Sequence, residues 1–216
     1  MNFLKSILNL VFPTYCIQCG KSGTAICTKC LSQCEGAGRE SAEWVFPIYD
    51  YRNPLIKKAI WLLKYKNKKV FAKIFAEIMY GRMIEEISDF GQFNDFKKPI
   101  LIPIPLARKR MHERGFNQAT LICSELIKLD LNKNFTLEEK VLVKINDKKH
   151  QALIENRTER LKNIIGSFSI KNTDKIEDKN IILIDDVTTT GATLNEARKT
   201  LRKFGAKKII AFTIAH

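Results

Sequence analysis

The amino-acid sequence predicts an α/β fold, a parallel sheet flanked by helices, with a small metal-binding unit at the amino terminus. Two observations lead to this prediction. Short apolar runs rich in Ile, Val and Leu alternate with longer segments of helical periodicity, which is the pattern of parallel strands joined by helical crossovers. Two Cys-x-x-Cys pairs follow each other closely near the amino terminus, which is the spacing of a four-cysteine zinc site.

The length and charge of the chain set broad limits on its function. The 216 residues have room for one sizeable domain and a small appendage. Lys and Arg outnumber Asp and Glu by 37 to 23, a formal net charge of +14. This excess favours phosphorylated ligands, nucleic acid or an acidic membrane surface. A generally lysine-rich proteome would produce the same excess, so charge alone does not decide between these partners.

We expect a short amphipathic helix over residues 3–12. Lys5, Ser6 and Asn9 interrupt this apolar run, which is too short to span a bilayer and is not followed by a small-residue cleavage site. The sequence therefore predicts a cytoplasmic protein without a membrane span.

The first chemical motif is a pair of cysteine knuckles separated by seven residues. Each knuckle forms a tight turn that directs two thiolates at one ion, so we expect structural Zn²⁺ to be bound by Cys16, Cys19, Cys27 and Cys30. A segment this short has no core of its own, so the metal must supply its folding free energy. Cys34 could replace Cys30 as a ligand or remain free. A closed shell of four thiolates favours a structural role over nucleic-acid contact.

The segment at residues 35–38, Glu-Gly-Ala-Gly, predicts a linker. It divides the chain into an amino-terminal helix and zinc ribbon, residues 1–38, and a main domain, residues 39–216. Residues 45–51 then predict a strand, and Pro54 suits the first turn of the helix that follows.

The helix after Pro54 is strongly basic. Six lysines lie at Lys57, Lys58, Lys64, Lys66, Lys68 and Lys69. Trp61 and Tyr65 lie among them, and such a mixture can form a stacking platform for single-stranded nucleic acid. The candidate contacts are Lys57, Lys58, Tyr65, Lys66 and Lys68. The alternative, slightly preferred from the sequence, is an amphipathic helix that buries Trp61 and exposes a solvated lysine face.

A second helix, residues 70–87, places an apolar stripe in the core, formed by Val70, Phe71, Ile74, Phe75, Ile78 and Met79. Residues 99–104 predict a second strand. The basic loop after it contains Arg108 and Lys109, and a helix bearing Ala119 and Ile122 follows. A basic loop between a strand and a helix suits an anion the size of pyrophosphate.

Further strands are predicted at residues 141–145, 166–170 and 209–215. Residues 147–163 are polar and basic. They could form a mobile cover over a site, or they could be an ordinary solvated helix and loop.

Residues 181–184 are four consecutive apolar β-formers, which predict a strand buried on both faces. Asp185 and Asp186 follow where the strand emerges, and a hydroxyl-rich loop with Gly191 leads into a helix. That helix carries an apolar face formed by Leu194, Ala197, Leu201 and Phe204. The loop and the helix N-terminus form a cradle for phosphate, and the acids could accept hydrogen bonds from vicinal hydroxyls. The sequence thus predicts a ribose 5-phosphate site, the alternative being a buried strand that ends in a solvated turn.

This stretch resembles the 5-phosphoribosyl 1-pyrophosphate (PRPP) motif of type I phosphoribosyltransferases. The resemblance implies that Asp185 and Asp186 act in catalysis, by holding the ribose hydroxyls and orienting Mg²⁺, which neutralises the leaving pyrophosphate. The PRPP-binding residues would be Asp185, Asp186, Val187, Thr188, Thr189, Thr190, Gly191, Ala192, Thr193, Arg108, Lys109 and Lys64. Hypoxanthine-type members have an aspartate where this chain has Thr189, so the resemblance does not extend to a 6-oxopurine acceptor.

Other segments resemble the ComF family. They are the zinc ribbon, Leu63-Lys64-Tyr65, Arg114-Gly115-Phe116-Asn117-Gln118, Gln151, Arg157, Asn163, Gly166-Ser167-Phe168, and Gly205-Ala206 with the strand that follows. The resemblance implies a cytoplasmic PRPP-binding protein that acts in DNA uptake during natural transformation and contacts single-stranded DNA. A DNA-uptake helicase and other competence proteins are candidate partners. The alternative is a PRPP-dependent transferase with an unidentified acceptor.

Overall fold

The computed structural model describes residues 14–38, 42–89, 96–145 and 166–216. The strands are β1 Val45–Tyr49, β2 Ile100–Pro103, β3 Thr136–Leu137, β4 Leu142–Lys144, β5 Phe168–Ile170, β6 Ile181–Val187 and β7 Ile209–Ala215. The helices are α1 Thr28–Leu31, α2 Pro54–Tyr65, α3 Val70–Asp89, α4 Arg108–Arg114, α5 Gln118–Leu129 and α6 Ala192–Lys203. Several predicted features lie outside the described residues: the helix at residues 3–12 and the polar segment 147–163, which contains Gln151, Arg157 and Asn163.

Five strands form a sheet in the order β1-β7-β6-β2-β3, and every neighbouring pair is parallel. The predicted fold class is therefore confirmed. β6 is the central strand, and its side chains alternate between the two faces as the pleat requires. Ile182 and Ile184 pack with α2, α3 and α5 on one face, whereas Ile181 and Leu183 pack with α6 on the other. Burial on both faces leaves only the carboxyl end of β6 open for polar residues.

Two strands differ from their predicted places. The run at residues 141–145 does not join the parallel sheet, because β4 pairs antiparallel with β5 in a separate two-stranded sheet. The fifth parallel strand is β3 instead, which pairs with β2 through Thr136 and Leu137. A strand of two residues is too short to produce an apolar period, so the sequence pattern does not reveal it.

Helix α2 begins as predicted, with Pro54 at its first position. The side chain of Asn53 caps it by accepting hydrogen bonds from the N–H groups of Leu55 and Ile56 at 3.0 and 3.2 Å. The basic loop after β2 is also helical, since α4 covers residues 108–114 and buries none of them.

The apolar stripes of two helices are narrower than predicted. In α3, Phe71, Phe75 and Met79 are buried, but Val70 is 43% exposed because it lies at the first position of the helix, outside the core-facing stripe. In α6, Leu194, Ala197 and Leu201 are buried, but Phe204 follows the last residue of the helix and is 37% exposed. The core therefore lies under the helix centres.

The segment predicted as a linker is hydrogen-bonded to the sheet edge. Gly36 forms an antiparallel bridge with Tyr49, and the N–H of Ala37 donates to the carbonyl of Ile48 at 3.1 Å. The segment thus covers the outer edge of β1, which would otherwise offer unpaired backbone groups. Among the described residues, no helix has both the length and the apolar character needed to cross a bilayer.

Candidate functional site

The acid pair lies at the carboxyl end of the central strand. Asp186 is buried and Asp185 is half-buried, and the N–H of Asp186 donates to Oδ1 of Asp185 at 2.8 Å. Burial and the neighbouring charge of Asp186 raise the pKa of Asp185 from 3.8 to about 7, against the opposing effect of Lys64 and Lys144. Two adjacent carboxylates that are partly shielded from water do not both ionise readily, which is why the pKa of Asp185 is raised.

Lys64 extends from the last turn of α2 to the acid pair. Its Nζ lies 2.7 Å from Oδ1 of Asp186, and the two side chains are 17% and 10% exposed. Such a pair is held by strong attraction in a poorly solvated site, but each charge has lost most of its water. Lys64, which the sequence assigns to PRPP binding, is therefore in direct contact with one of the two candidate catalytic acids.

The loop after β6 joins the acid pair to α6. Val187 ends the strand, and Thr188 is buried with its N–H donating to the carbonyl of Ala215 at 2.9 Å. Thr189 and Thr190 are exposed. Gly191 has φ of 69°, a left-handed conformation that favours glycine, and it immediately precedes Ala192 and Thr193 in the first turn of α6. The chain thus presents exposed threonines and a helix N-terminus beside the two acids.

A cation that the sequence interpretation missed, Lys144, lies near the acid pair. It is half-buried at the end of β4, with its Nζ 5.4 Å from the ring centroid of Phe168. Burial and the charge of Arg110 lower the pKa of Lys144, whereas Asp185 raises it. The sequence pattern missed Lys144 because it places the strand in the parallel sheet. Arg108 and Lys109, the cations that the sequence does predict, are exposed in the first turn of α4.

The outer face of α2 carries exposed aromatic side chains. Trp61 is 46% and Tyr65 60% exposed, so the slightly preferred interpretation of Trp61 as a core residue is wrong. Its neighbours Ile60 and Leu63 fill the core instead. Since successive helix residues are about 100° apart, Trp61 is turned away from them. Its ring lies 6.2 Å from that of Tyr65, one turn along the helix.

Cations extend this pair into a row, which we call the aromatic row: Lys66, Trp61, Tyr65 and Arg114. Lys66 Nζ lies 5.4 Å from the Trp61 ring centroid, and the Arg114 guanidinium lies 5.2 Å from that of Tyr65. Arg114 is held by a 2.8 Å hydrogen bond to Gln118 of α5. The candidate lysines Lys57, Lys58, Lys66 and Lys68 are all exposed. Lys58 also donates to the carbonyl of Ile17 at 3.1 Å, which joins α2 to the first cysteine knuckle.

The four predicted cysteines form one cluster. The sulfur atoms of Cys16, Cys19, Cys27 and Cys30 all lie within 4.8 Å of one another, so they could hold a metal ion such as zinc. Burial acts to raise the pKa of Cys16, but N–H groups of Cys19, Cys27 and Gln18 directed at its sulfur lower it to about 6. Such hydrogen bonds favour the thiolate, the form that binds a metal.

Cys34 lies outside the cluster. Its thiol donates towards the carbonyl of Cys30 at 3.5 Å and towards Oδ1 of Asn53 at 3.6 Å. The structure therefore places Cys30, and not Cys34, with the other three sulfurs.

Comparisons with known proteins agree with the fold and the motif. The profile of the phosphoribosyl transferase domain matches residues 114–216, which include the acid pair and its loop. The chain is 34% identical over 168 residues to competence protein ComFC of Bacillus subtilis, covering 77% of this chain and 62% of that protein. The chain therefore spans less than two thirds of the length of that relative.

Two further relatives are matched over most of their length. The chain is 30% identical over 209 residues to competence protein F of Haemophilus influenzae, covering 94% of this chain and 85% of that protein. It is 26% identical over 202 residues to the DNA utilization protein YhgH of Escherichia coli (strain K12), covering 91% of this chain and 81% of that protein. From these matches, the chain belongs to the ComF family.

Proposed function

We propose that this protein binds PRPP with Mg²⁺ at the carboxyl end of β6, and that it handles single-stranded DNA in the cytoplasm during DNA uptake. The observation that carries the proposal is the acid pair at the end of the central strand, followed directly by the threonine loop and the start of α6. The names of its relatives, competence proteins and a DNA utilization protein, support the role in DNA uptake. A DNA-uptake helicase or another competence protein would be the natural partner.

The residues present fit the parts of PRPP. Asp185 and Asp186 would accept hydrogen bonds from the ribose diol. The loop at residues 188–193 would donate threonine hydroxyls and N–H groups other than that of Thr188, which is bonded to Ala215, to the 5-phosphate. Arg108 and Lys109 would contact the pyrophosphate. Carboxylates are the hard oxygen donors that suit Mg²⁺ or its water shell, so the acid pair fits a metal–PRPP complex. When bound, the metal would neutralise part of the pyrophosphate charge.

We also propose structural Zn²⁺ at the four-cysteine cluster, within a ribbon that ends near residue 38. Four thiols that converge within 4.8 Å are the donor set of a closed tetrahedral site. Three of the four are buried against α2 and its neighbours, so the ion would fix the ribbon to the same helix that carries the aromatic row.

The aromatic row supports the proposed contact with single-stranded DNA. Trp61 and Tyr65 are exposed aromatic side chains on which bases could stack, and each stacked base contributes about 1–3 kcal/mol. Lys57, Lys66 and Lys68 lie exposed beside them and would neutralise phosphates. This combination of stacking and charge binds a single strand without reading its sequence.

A PRPP-dependent transferase with an unidentified acceptor is the second candidate. The match of residues 114–216 to the phosphoribosyl transferase domain favours it. In the reaction the bond from C1 of ribose to pyrophosphate breaks, a bond from C1 to the acceptor forms, and the acceptor proton passes to the released pyrophosphate or to solvent. Thr189 stands where hypoxanthine-type enzymes have their aspartate, which argues against a 6-oxopurine acceptor.

Calorimetric titration of PRPP with Mg²⁺ tests the proposal. We expect the wild type to bind and the double variant Asp185→Asn, Asp186→Asn to lose most of its affinity, because the amides change charge and donor pattern at the diol. Asp174→Asn, which changes an exposed carboxylate on a distant turn, should bind like the wild type. Wild-type affinity in the folded double variant would refute the site. Release of pyrophosphate, measured with and without single-stranded DNA, separates the transferase from the binding protein.

A further inference from the structure

His216, which follows β7, contacts the loop proposed to bind phosphate. Its Nε2 lies 2.8 Å from the carbonyl oxygen of Thr189. The backbone of His216 is held on both sides, since its N–H donates to the carbonyl of Tyr49 and its carbonyl accepts from Tyr51, each at 3.0 Å. The imidazole is therefore placed by backbone bonds to β1 and to the turn after it, and not by the loop it contacts.

The geometry fixes what the ring can do. A carbonyl oxygen only accepts, so Nε2 carries the proton in this hydrogen bond. Nδ1 is enclosed by the protein and has no hydrogen-bond partner among the described residues. The ring thus acts on the loop through Nε2 and does not turn its other nitrogen towards a bound molecule.

A hydrogen bond to the carbonyl of Thr189 also orients the next N–H group. The carbonyl of residue 189 and the N–H of Thr190 belong to one planar trans peptide, in which they point in opposite directions. When the carbonyl is drawn towards His216, the N–H of Thr190 is directed away from it. Thr189 and Thr190 are exposed, whereas Thr188 is tied to β7 by its own N–H. The exposed peptide is therefore the part of the loop that needs an external hydrogen bond to hold its orientation.

We propose that His216 is a positioning residue for the phosphate loop, which keeps the N–H of Thr190 directed at a phosphate monoester such as the 5-phosphate of the ribose. The inference rests on the proposed PRPP site and adds to it a residue that no motif of the chain includes. Because His216 acts only at the loop, it contributes to binding of the sugar phosphate and not to binding of pyrophosphate.

The expected loss of affinity depends on the fraction of molecules in which the peptide between Thr189 and Thr190 has the orientation that binds phosphate. If the peptide adopts the competent orientation only part of the time, the apparent dissociation constant rises by the inverse of that fraction. Loss of one hydrogen bond, at the usual net free energy of such a bond, lowers the ratio of competent to incompetent loops by about two- to tenfold, and the competent fraction falls by no more than that factor. We therefore expect the affinity for ribose 5-phosphate to fall by about two- to tenfold.

The test uses the full-length, zinc-loaded chain and two probes, ribose 5-phosphate and pyrophosphate, titrated separately by calorimetry. His216→Phe keeps a ring but has no donor, whereas His216→Gln keeps an N–H at a similar reach. We expect His216→Phe to bind ribose 5-phosphate about two- to tenfold more weakly and pyrophosphate with unchanged affinity, and we expect His216→Gln to recover most of the loss. Should His216→Phe fail to fold, His216→Ala and His216→Gln make the same comparison.

Three results would overturn the inference. Equal affinity of the wild type and His216→Phe for ribose 5-phosphate would show that the ring does not hold the loop. An equal loss for both probes would indicate a general structural defect. If the wild type bound neither ribose 5-phosphate nor PRPP, the proposed function would fail and the inference with it, which distinguishes that failure from the first two.

Discussion

Replacing Asp185 by Asn should stabilise the fold at neutral and higher pH, although the same change should weaken PRPP binding. The wild-type carboxylate must ionise beside Asp186 in a site with little water, which raises its pKa to about 7. Between the unfolded pKa of 3.8 and about 7, the folded protein binds this proton more tightly than the unfolded chain does. The stability that the proton contributes is therefore complete at low pH and is lost as pH rises towards 7.

The magnitude follows from the two pKa values. At 1.36 kcal/mol for each pKa unit, the difference corresponds to at most about 4 kcal/mol of unfolding free energy. Asp185 is only half-buried, so solvent screening should reduce the effect to about 1–3 kcal/mol. Asn keeps the oxygen that accepts the N–H of Asp186 but never ionises.

Urea denaturation between pH 5.5 and 8.5 measures the effect. We expect Asp185→Asn to exceed the wild type in stability at pH 8.5, with a difference that shrinks towards pH 5.5. The exposed Asp174→Asn should follow the wild type throughout. Effects of pH on the cysteines are common to all three proteins and cancel in the differences. A variant less stable than the wild type at pH 8.5, or a difference independent of pH, would contradict the explanation given for Asp185.

The remaining predictions concern the cysteine cluster and the aromatic row. Elemental analysis should find one zinc per chain, lost in Cys27→Ser but retained in Cys34→Ser, whose sulfur lies outside the cluster; equal zinc content in the two variants would be evidence against the assignment. Single-stranded DNA should bind with a steep salt dependence, and Tyr65→Ala should weaken it by about 1–3 kcal/mol without changing the salt slope. Replacing Lys66 and Lys68 by Gln should instead flatten that slope by about one unit for each phosphate that is no longer neutralised. Absence of binding at low salt would refute a nucleic-acid role.

The acid pair and its loop could be predicted from sequence because all their parts are contiguous. Residues 181–193 contain the buried strand, the two carboxylates, the threonines and the first turn of the helix, so local patterns determine their arrangement. The cysteine cluster was predictable for the same reason. Short spacings within each knuckle limit the positions that the sulfur atoms can take.

The rest of the site depends on packing between distant segments. Lys144 lies close enough to Asp185 to affect its pKa because β4 pairs antiparallel with β5, and an apolar run of three residues does not specify its partner strand. The sequence also did not determine which side of α2 faces the core. Trp61 stands next to Leu62 and Leu63, and three adjacent apolar residues do not indicate which of them faces the core until the neighbouring elements are placed.

Helix α2 joins the two surfaces to which we assign ligands. Lys64 and Tyr65 are consecutive, yet Lys64 contacts Asp186 and Tyr65 contacts Arg114 in the aromatic row. A helix turns about 100° per residue, so its last turn faces the acid pair on one side and solvent on the other. A ligand whose hydroxyls or metal ion take the place of Lys64 at Asp186 removes one restraint on that turn. Two sites are coupled when each ligand favours the same state of an element they share. If both ligands bind as proposed, the last turn of α2 is the element through which binding at one surface changes affinity at the other.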